Sequence, residues 1–400
     1  MNKVGAIICE LNPLHLGHKY LIDTAKDSGI THLIGIMSGD FIQRGEPAIL
    51  SKETRTKIAL LNGFDLILEI PSIWAMSVAE KFALAGVYIA ENLGCVDNLI
   101  FGSECGELSF FYRISEAMLS SSFNRIVKSN LNKGHAFAIS MELAVKEILG
   151  REYSDILQTP NNILALEYFK ALKILNSKIK PFTLKRVGDY HSKQPEQGIC
   201  SSSYLRESIR NRYSNWSKYV PYSCYEIILN EMNSCFAPVT LKSCEIAILY
   251  KLRTMSATDF LCISDVSEGL ENRIVKAASC AISLEDLITK ISTKRYTKAR
   301  IKRIIMCAFL GILKSDQAQF LPYIKVLGSN KKGIEILKFA KKFSTIPIIS
   351  RYSDQKKLNA KERFIFQKEL QINSIYNLMF PKILSSNYSV KQKFTLWKDR

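Results

Sequence analysis

His15 and His18, three residues apart with Gly17 between them, are the side chains of this sequence best placed to do chemistry. A glycine there lets backbone come close to a ligand, and imidazoles where a helix begins beyond a strand can donate hydrogen bonds to phosphate oxygens. Such donors stabilise the charge that develops on α- and β-phosphate oxygens as pyrophosphate leaves, so the pattern points to ATP chemistry. Zinc is the rival ligand for a histidine pair. However, no Cys-x-x-Cys pair occurs in the chain to complete a tetrahedral set. A second phosphate-facing element is Cys200-Ser201-Ser202-Ser203-Tyr204-Leu205-Arg206. Hydroxyls entering a helix satisfy its first amides and leave positive dipole for an anion, and Arg206 adds a charged donor one turn on. Taken alone, that run reads as an ordinary serine cap.

Strands and helices must position these groups. Val-Gly-Ala-Ile-Ile-Cys at 4–9 is a continuous apolar run of the kind found in central parallel strands, and Asn12-Pro13 ends it. Tyr20, Leu21, Thr24 and Ala25 then recur at helical spacing. Further strands are predicted at 32–37, 66–70, 98–101 and 182–187, with helices at 52–62, 77–92, 108–119 and 163–175. This alternation predicts a parallel sheet covered by helices on both faces, with ligands outside the carboxyl ends of its strands. His15, Asp40, Pro71, Gly102 and Gly188 all follow strand ends and are expected to converge on one crevice. Beyond residue 212 strand signals are few. The chain is thus expected to divide into an α/β domain over 1–211, a helical middle segment over 212–289, and a basic, mainly helical module over 290–400.

With 400 residues at 47% hydrophobic content, the chain can bury a large core, and the length suits two or three domains. No uncharged apolar stretch reaches the length of about 18 residues that spans a membrane, so a soluble, cytoplasmic protein is expected. The ten cysteines, scattered singly, read as reduced core hydrophobes. The net charge of +18 is unevenly spread: residues 1–100 carry 8 lysines and arginines against 11 acids, and residues 290–400 carry 25 against 6. Lys290, Lys294, Arg295, Lys298, Arg300, Lys302 and Arg303 lie within fourteen residues that contain no acid, beside Tyr296 and the apolar run at 304–313. A helix with one cationic and one buried face suits nucleic-acid backbone, and an aromatic among the cations can stack on an unpaired base. The bland alternative is a solvated charged face. A membrane surface fits less well, because no Trp- or Phe-rich apolar face accompanies the charges.

Asn12-Pro13-Leu14-His15-Leu16-Gly17-His18 paired with Ser201–Arg206 resembles the nucleotidyltransferases related to class I aminoacyl-tRNA synthetases. The segments Gly39–Ala48, Asp65–Pro71, Phe101-Gly102-Ser103-Glu104, Pro160–Leu164 and Thr293–Thr297 narrow the likeness to the bacterial tRNA(Met) cytidine acetate ligase family. The resemblance runs from residue 3 to beyond 310. Ser202 and Tyr204 stand where smaller residues are usual, and Ser203 where threonine is.

The resemblance implies a Rossmann-like parallel-sheet nucleotidyltransferase domain followed by mainly α-helical domains. It further implies an ATP-dependent ligase that makes acetyl-adenylate from acetate and ATP and acetylates N4 of the wobble cytidine of elongator tRNA(Met), with Mg2+ accompanying ATP and no protein partner. By the same resemblance His15 and His18 are catalytic. ATP contacts fall on Ile7, Ile8, Cys9, Glu10, Leu11, Asn12, Pro13, Leu14, His15, Leu16, Gly17, His18, Lys19 and Tyr20, and on Gly102, Asn162, Arg186, Val187, Ser201, Ser203 and Arg206. Either Asn161 or Asn162 can be the asparagine concerned, and Asn162 is preferred. Arg44, Lys294, Arg295, Lys298, Arg300 and Arg303 are the candidates for tRNA. Asp40 and Glu104 could position magnesium or the nucleophile, or serve as helix caps. Two rival functions remain: a small-molecule adenylyltransferase or acyl-adenylate amide ligase, which has no need of the basic module, and a non-catalytic RNA-binding protein, which has no need of intact histidines.

Overall fold

The N-terminal apolar run forms β1 (Val4–Cys9), buried at every position, in a computed structural model that describes residues 3–186, 200–267, 269–388 and 394–397. With β2 (His32–Ser38), β3 (Leu66–Ile70), β4 (Asn98–Ser103) and β5 (Lys180–Lys185) it makes a parallel array in the order β3-β2-β1-β4-β5. β2 and β3 are also buried throughout, as unbroken apolar strands require when both sheet faces are covered. Alternate side chains of β1 feed two cores: Val4, Ala6 and Ile8 point into one, Ile7 and Cys9 into the other. The first core takes apolar residues from α3 (Ala79–Asn92) and α4 (Pro160–Ile174). The second takes them from α1 (Leu16–Asp27), α2 (Lys52–Leu61) and α5 (Ser202–Arg210). Strand order reverses between β1 and β4, and in such sheets the crevice outside the carboxyl ends at that point is where ligands bind.

The sheet extends beyond the strands read from the sequence. β6 (Ile324–Ser329) pairs antiparallel with β3, and β7 (Ile348–Ile349) and β8 (Thr395–Leu396) each pair parallel with β6. The all-parallel sheet becomes a mixed one, because the added strand arrives from the C-terminal region and not through a strand–helix–strand crossover. β6 is only six residues long and its Lys325 interrupts the apolar pattern, which is why it reads weakly in sequence. In the fold that lysine reaches Glu69 of β3 at 2.9 Å. Other boundaries shift slightly. β5 begins two residues before the predicted 182, while Val187 and Gly188 lie outside the described residues. β4 runs to Ser103 and so contains Gly102, and α4 starts at Pro160, which puts Asn161 and Asn162 in its first turn.

The charged run is only partly one helix: Lys290 ends a separate helix (Leu284–Ile291), and Lys294 and Arg295 lie in the link after it. The last four cations sit on α6 (Lys298–Leu310), which is capped by the Thr297 side chain accepting from the Arg300 amide. It abuts the α/β sheet region through a small hairpin, Phe41–Ile42 with Glu46–Pro47. At the hairpin tip Gly45 adopts φ +69°, and a Cβ there would come within 2.4 Å of the Arg303 amide nitrogen. Only glycine lets the loop that carries Gln43 and Arg44 sit directly on this helix. All ten cysteines are unpaired; five are buried, but Cys235, Cys262 and Cys280 are exposed. Among the described residues no helix is long and apolar enough to cross a membrane.

Candidate active site

His15 is the N-cap of α1, and the first turn of that helix orients both imidazoles. Gly17 N donates to His15 Nδ1 at 3.1 Å, and His15 N donates to His18 Nδ1 at 3.3 Å, a reciprocal capping box built from histidines. A ring nitrogen that accepts from an amide carries no proton, so each neutral ring bears its hydrogen on Nε2. The rings lie 3.8 Å apart, centroid to centroid, inclined at 30°. Burial is the main cause that holds His15 far below the usual imidazole range, reinforced by His18, Arg186 and Arg206. Burial and then Arg186 bring His18 down to about 3. Two neutral Nε2–H donors therefore stand side by side. That of His15 reaches Ser202 Oγ at 3.1 Å, across 187 residues of sequence.

Facing them is the start of α5. The Ser201 hydroxyl caps it by accepting from Tyr204 N at 3.2 Å, and Arg206, 5% exposed, donates to Ser203 Oγ at 3.0 Å and to the Asn12 carbonyl at 3.1 Å. Asn12, which lines the crevice, accepts from Ile49 N at 2.9 Å through its side-chain oxygen, and its Nδ2 is buried with no partner among the described residues. Leu11, at φ +47°, makes the turn between strand and cap in the left-handed region that a leucine rarely adopts.

The crevice encloses about 960 Å³. Of the predicted nucleotide residues, Ile7, Ile8, Cys9, Glu10, Leu11, Asn12, His15, His18, Gly102, Arg186, Ser201, Ser203 and Arg206 line it. Pro13, Leu14, Leu16, Gly17, Lys19 and Tyr20 do not. Leu14 is in the core, Lys19 pairs with Asp23, and the Tyr20 ring is exposed. At Gly102 the approach is close: a Cβ would lie 3.1 Å from Cγ of Arg186, whose stem crosses the strand end there. Asn162 is turned away from the crevice; its Oδ1 accepts from Glu104 N at 3.0 Å and Cys105 N at 3.2 Å, bracing the turn after β4, while Asn161 lines the cavity. Val187 lies outside the described residues.

Two acids suggested by the sequence are otherwise engaged. Glu104 caps α4, accepting from Asn161 N at 3.3 Å and Asn162 N at 2.9 Å. Asp40 is buried 3.4 Å from Lys52, which also binds Glu69 at 2.8 Å. Pro71 is buried as well and does not reach the crevice. Arg44 lines the cavity, but the cations of α6 lie outside its lining. Arg300 binds the Asp265 carbonyl from Nε at 3.0 Å and stacks over Tyr296, Arg303 pairs with the Asp265 carboxylate at 3.2 Å, and Lys302 pairs with Glu46. Lys294, Arg295 and Lys298 are exposed. Gln43, Phe82, Tyr168, Tyr213 and Asn215 also line the crevice; Gln43 lies in the Gly39–Ala48 segment, and the other four belong to no motif. Phe82 and Tyr168 fall within the predicted helices 77–92 and 163–175, which is the one signal that marks them.

A sequence model described as HIGH Nucleotidyl Transferase matches residues 1–391. The chain is 39% identical over 382 residues to a tRNA(Met) cytidine acetate ligase of Thermoanaerobacter sp. (strain X514), covering 94% of each sequence. It is equally 39% identical over 382 residues to the protein of that name from Caldanaerobacter subterraneus subsp. tengcongensis, again with 94% of each covered. Its fold matches the crystal structure of Thermotoga maritima TmcAL bound with alpha-thio ATP at TM-score 0.93 and 26% identity, over 99% of this chain and 100% of that one.

Proposed function

The chain belongs to the HIGH nucleotidyl transferase family, among the tRNA(Met) cytidine acetate ligases, and on that premise we infer that it is an ATP-dependent ligase that acetylates a cytidine of tRNA(Met). The observation that carries this reading is the pair of fixed Nε2–H donors at the N-terminus of α1, opposite the serine-capped start of α5. The substrates are acetate, ATP with its magnesium, and elongator tRNA(Met), whose wobble cytidine is modified at N4; the same reading puts the protein in the cytoplasm with its tRNA.

The acetate carboxylate attacks the α-phosphorus, forming acetyl-adenylate and releasing pyrophosphate. As negative charge moves onto the phosphate oxygens, His15 and His18 donate to them, and Ser201, Ser203 and Arg206 hold the departing end together with the dipole of α5. Both imidazoles are already neutral and aimed, so little reorganisation is needed at the moment of reaction. Gly102, Arg186 and the first turn of α4 border the nucleoside end. Arg44, with Lys294, Arg295 and Lys298 on the neighbouring segment, supplies cations for the tRNA backbone. The test is transfer of labelled acetate to unmodified elongator tRNA(Met) by the purified protein with ATP and magnesium. Transfer that disappears when the wobble cytidine is replaced supports the reading. Label arriving from acetyl-coenzyme A without ATP removes it.

A further inference from the structure

Glu10 is an anion in a site built for a polyanion. It is the last residue before the nucleotide turn, and with the exposed Glu207 it is one of two acids lining the crevice among the described residues. Its backbone carbonyl is fixed by Arg55 Nη1 at 2.8 Å, and its carboxylate by the backbone N–H of Gln43, which donates to Oε1 at 2.9 Å. The carboxylate is thus anchored between the end of β1 and the hairpin that rests on α6. Its charge bears on Arg206 on the phosphate side and on the buried phenol of Tyr168 on the opposite wall. A carboxylate repels both the triphosphate and acetate, so the partner it suits is a hydrogen-bond donor. Asp40 and Glu104, the other acids at strand ends, are held by Lys52 and by the amides of α4.

Resting on the function inferred above, we propose that Glu10 is the catalytic residue that receives the N4 amine of the target cytosine and takes its proton during acyl transfer. The cytosine amine is a weak nucleophile because its lone pair is delocalised into the ring. As N4 bonds to the acetyl carbonyl carbon, the bond from that carbon to the AMP phosphate oxygen breaks and AMP leaves with the electron pair. The N4 proton passes to a Glu10 carboxylate oxygen and then to solvent. The same contact selects the base: a carboxylate accepts from the cytosine N4 amine, whereas uracil presents a carbonyl oxygen there and is repelled.

Glu10→Gln removes the charge while keeping the size of the side chain. Single-turnover transfer from preformed acetyl-adenylate to tRNA should fall about a hundredfold or more at unchanged circular dichroism, a loss far larger than any effect of the variant on acetate-dependent exchange of pyrophosphate into ATP. Glu10→Asp should recover part of that transfer. Elongator tRNA(Met) carrying uridine at the wobble position should inhibit the variant better than the wild type, a change that mere loss of structure would not produce. Undiminished transfer, or exchange lost in parallel with transfer, overturns the assignment. A wild-type protein that neither exchanges nor transfers removes the functional reading, and this inference with it.

Discussion

Replacing Arg55 with methionine should destabilise the protein severely and loosen the nucleotide turn, although Arg55 never touches the crevice. It is 1% exposed, and its guanidinium donates only to backbone: Nε to Leu50 O at 3.2 Å, Nη1 to Glu10 O at 2.8 Å and Ser38 O at 3.0 Å, and Nη2 to Gly39 O. Three of those carbonyls, of Glu10, Ser38 and Gly39, lie where β1 and β2 end, and the fourth, of Leu50, lies just before α2, so one side chain ties together the segments that shape the site. Methionine preserves much of the packed stem but provides no donor. A bond from a charged donor is worth about 1.5–3 kcal/mol net, and relief of the buried charge offsets part of the loss, which leaves about 4 kcal/mol for four bonds. Set against a total stability of about 5–15 kcal/mol, that loss is large. Urea unfolding followed by circular dichroism should show a much lower midpoint, and ATP affinity should weaken at urea concentrations where the wild type is intact. Arg55→Lys should recover only part, because an ammonium on a single stem cannot span all four carbonyls. An unchanged midpoint in the methionine variant, or complete recovery by lysine, would refute the role given to this cage.

His15→Ala and His18→Ala should each lower acetate-dependent pyrophosphate exchange by about a hundredfold while leaving circular dichroism unchanged; because burial holds both rings neutral, wild-type exchange should show no histidine titration from about pH 6 to 8. Charge reversal at the exposed Lys294 and Lys298 should reduce the log–log salt slope of tRNA binding by about 0.7–0.9 for each phosphate no longer neutralised, with ATP affinity untouched; filter binding with an unaltered slope would make this a solvated face. Burial, with the charge of Glu69 added, raises the Glu369 carboxyl to about 7, so the native state keeps a proton that the unfolded chain releases and loses stability as pH rises toward and through 7. Glu369→Gln should therefore match the wild type near pH 5 and exceed it at pH 8 by up to about 3 kcal/mol, as thermal unfolding at the two pH values will show.

What the residues alone determined is what short-range geometry controls. Apolar runs at 4–9 and 66–70 have to be buried strands, and the His-x-Gly-His turn, the Ser201 cap and the Thr297 cap are all set within three or four residues. Hydrogen bonds and periodicity over that span leave a trace in any window of the chain. Tertiary structure decided the contacts between segments remote in sequence. It brought Ser202 to His15, and it added β6 to the sheet with Lys325 against Glu69. It turned Asn162 toward the Glu104–Cys105 backbone and left Asn161 on the crevice, engaged Asp40 with Lys52, and gave Arg300 and Arg303 to Asp265. A charged or amide side chain has the same local signature whether it meets phosphate, solvent or a buried partner. Which of these it meets is fixed by the desolvation of the groups packed against it, and that exists only once the distant segments have come together.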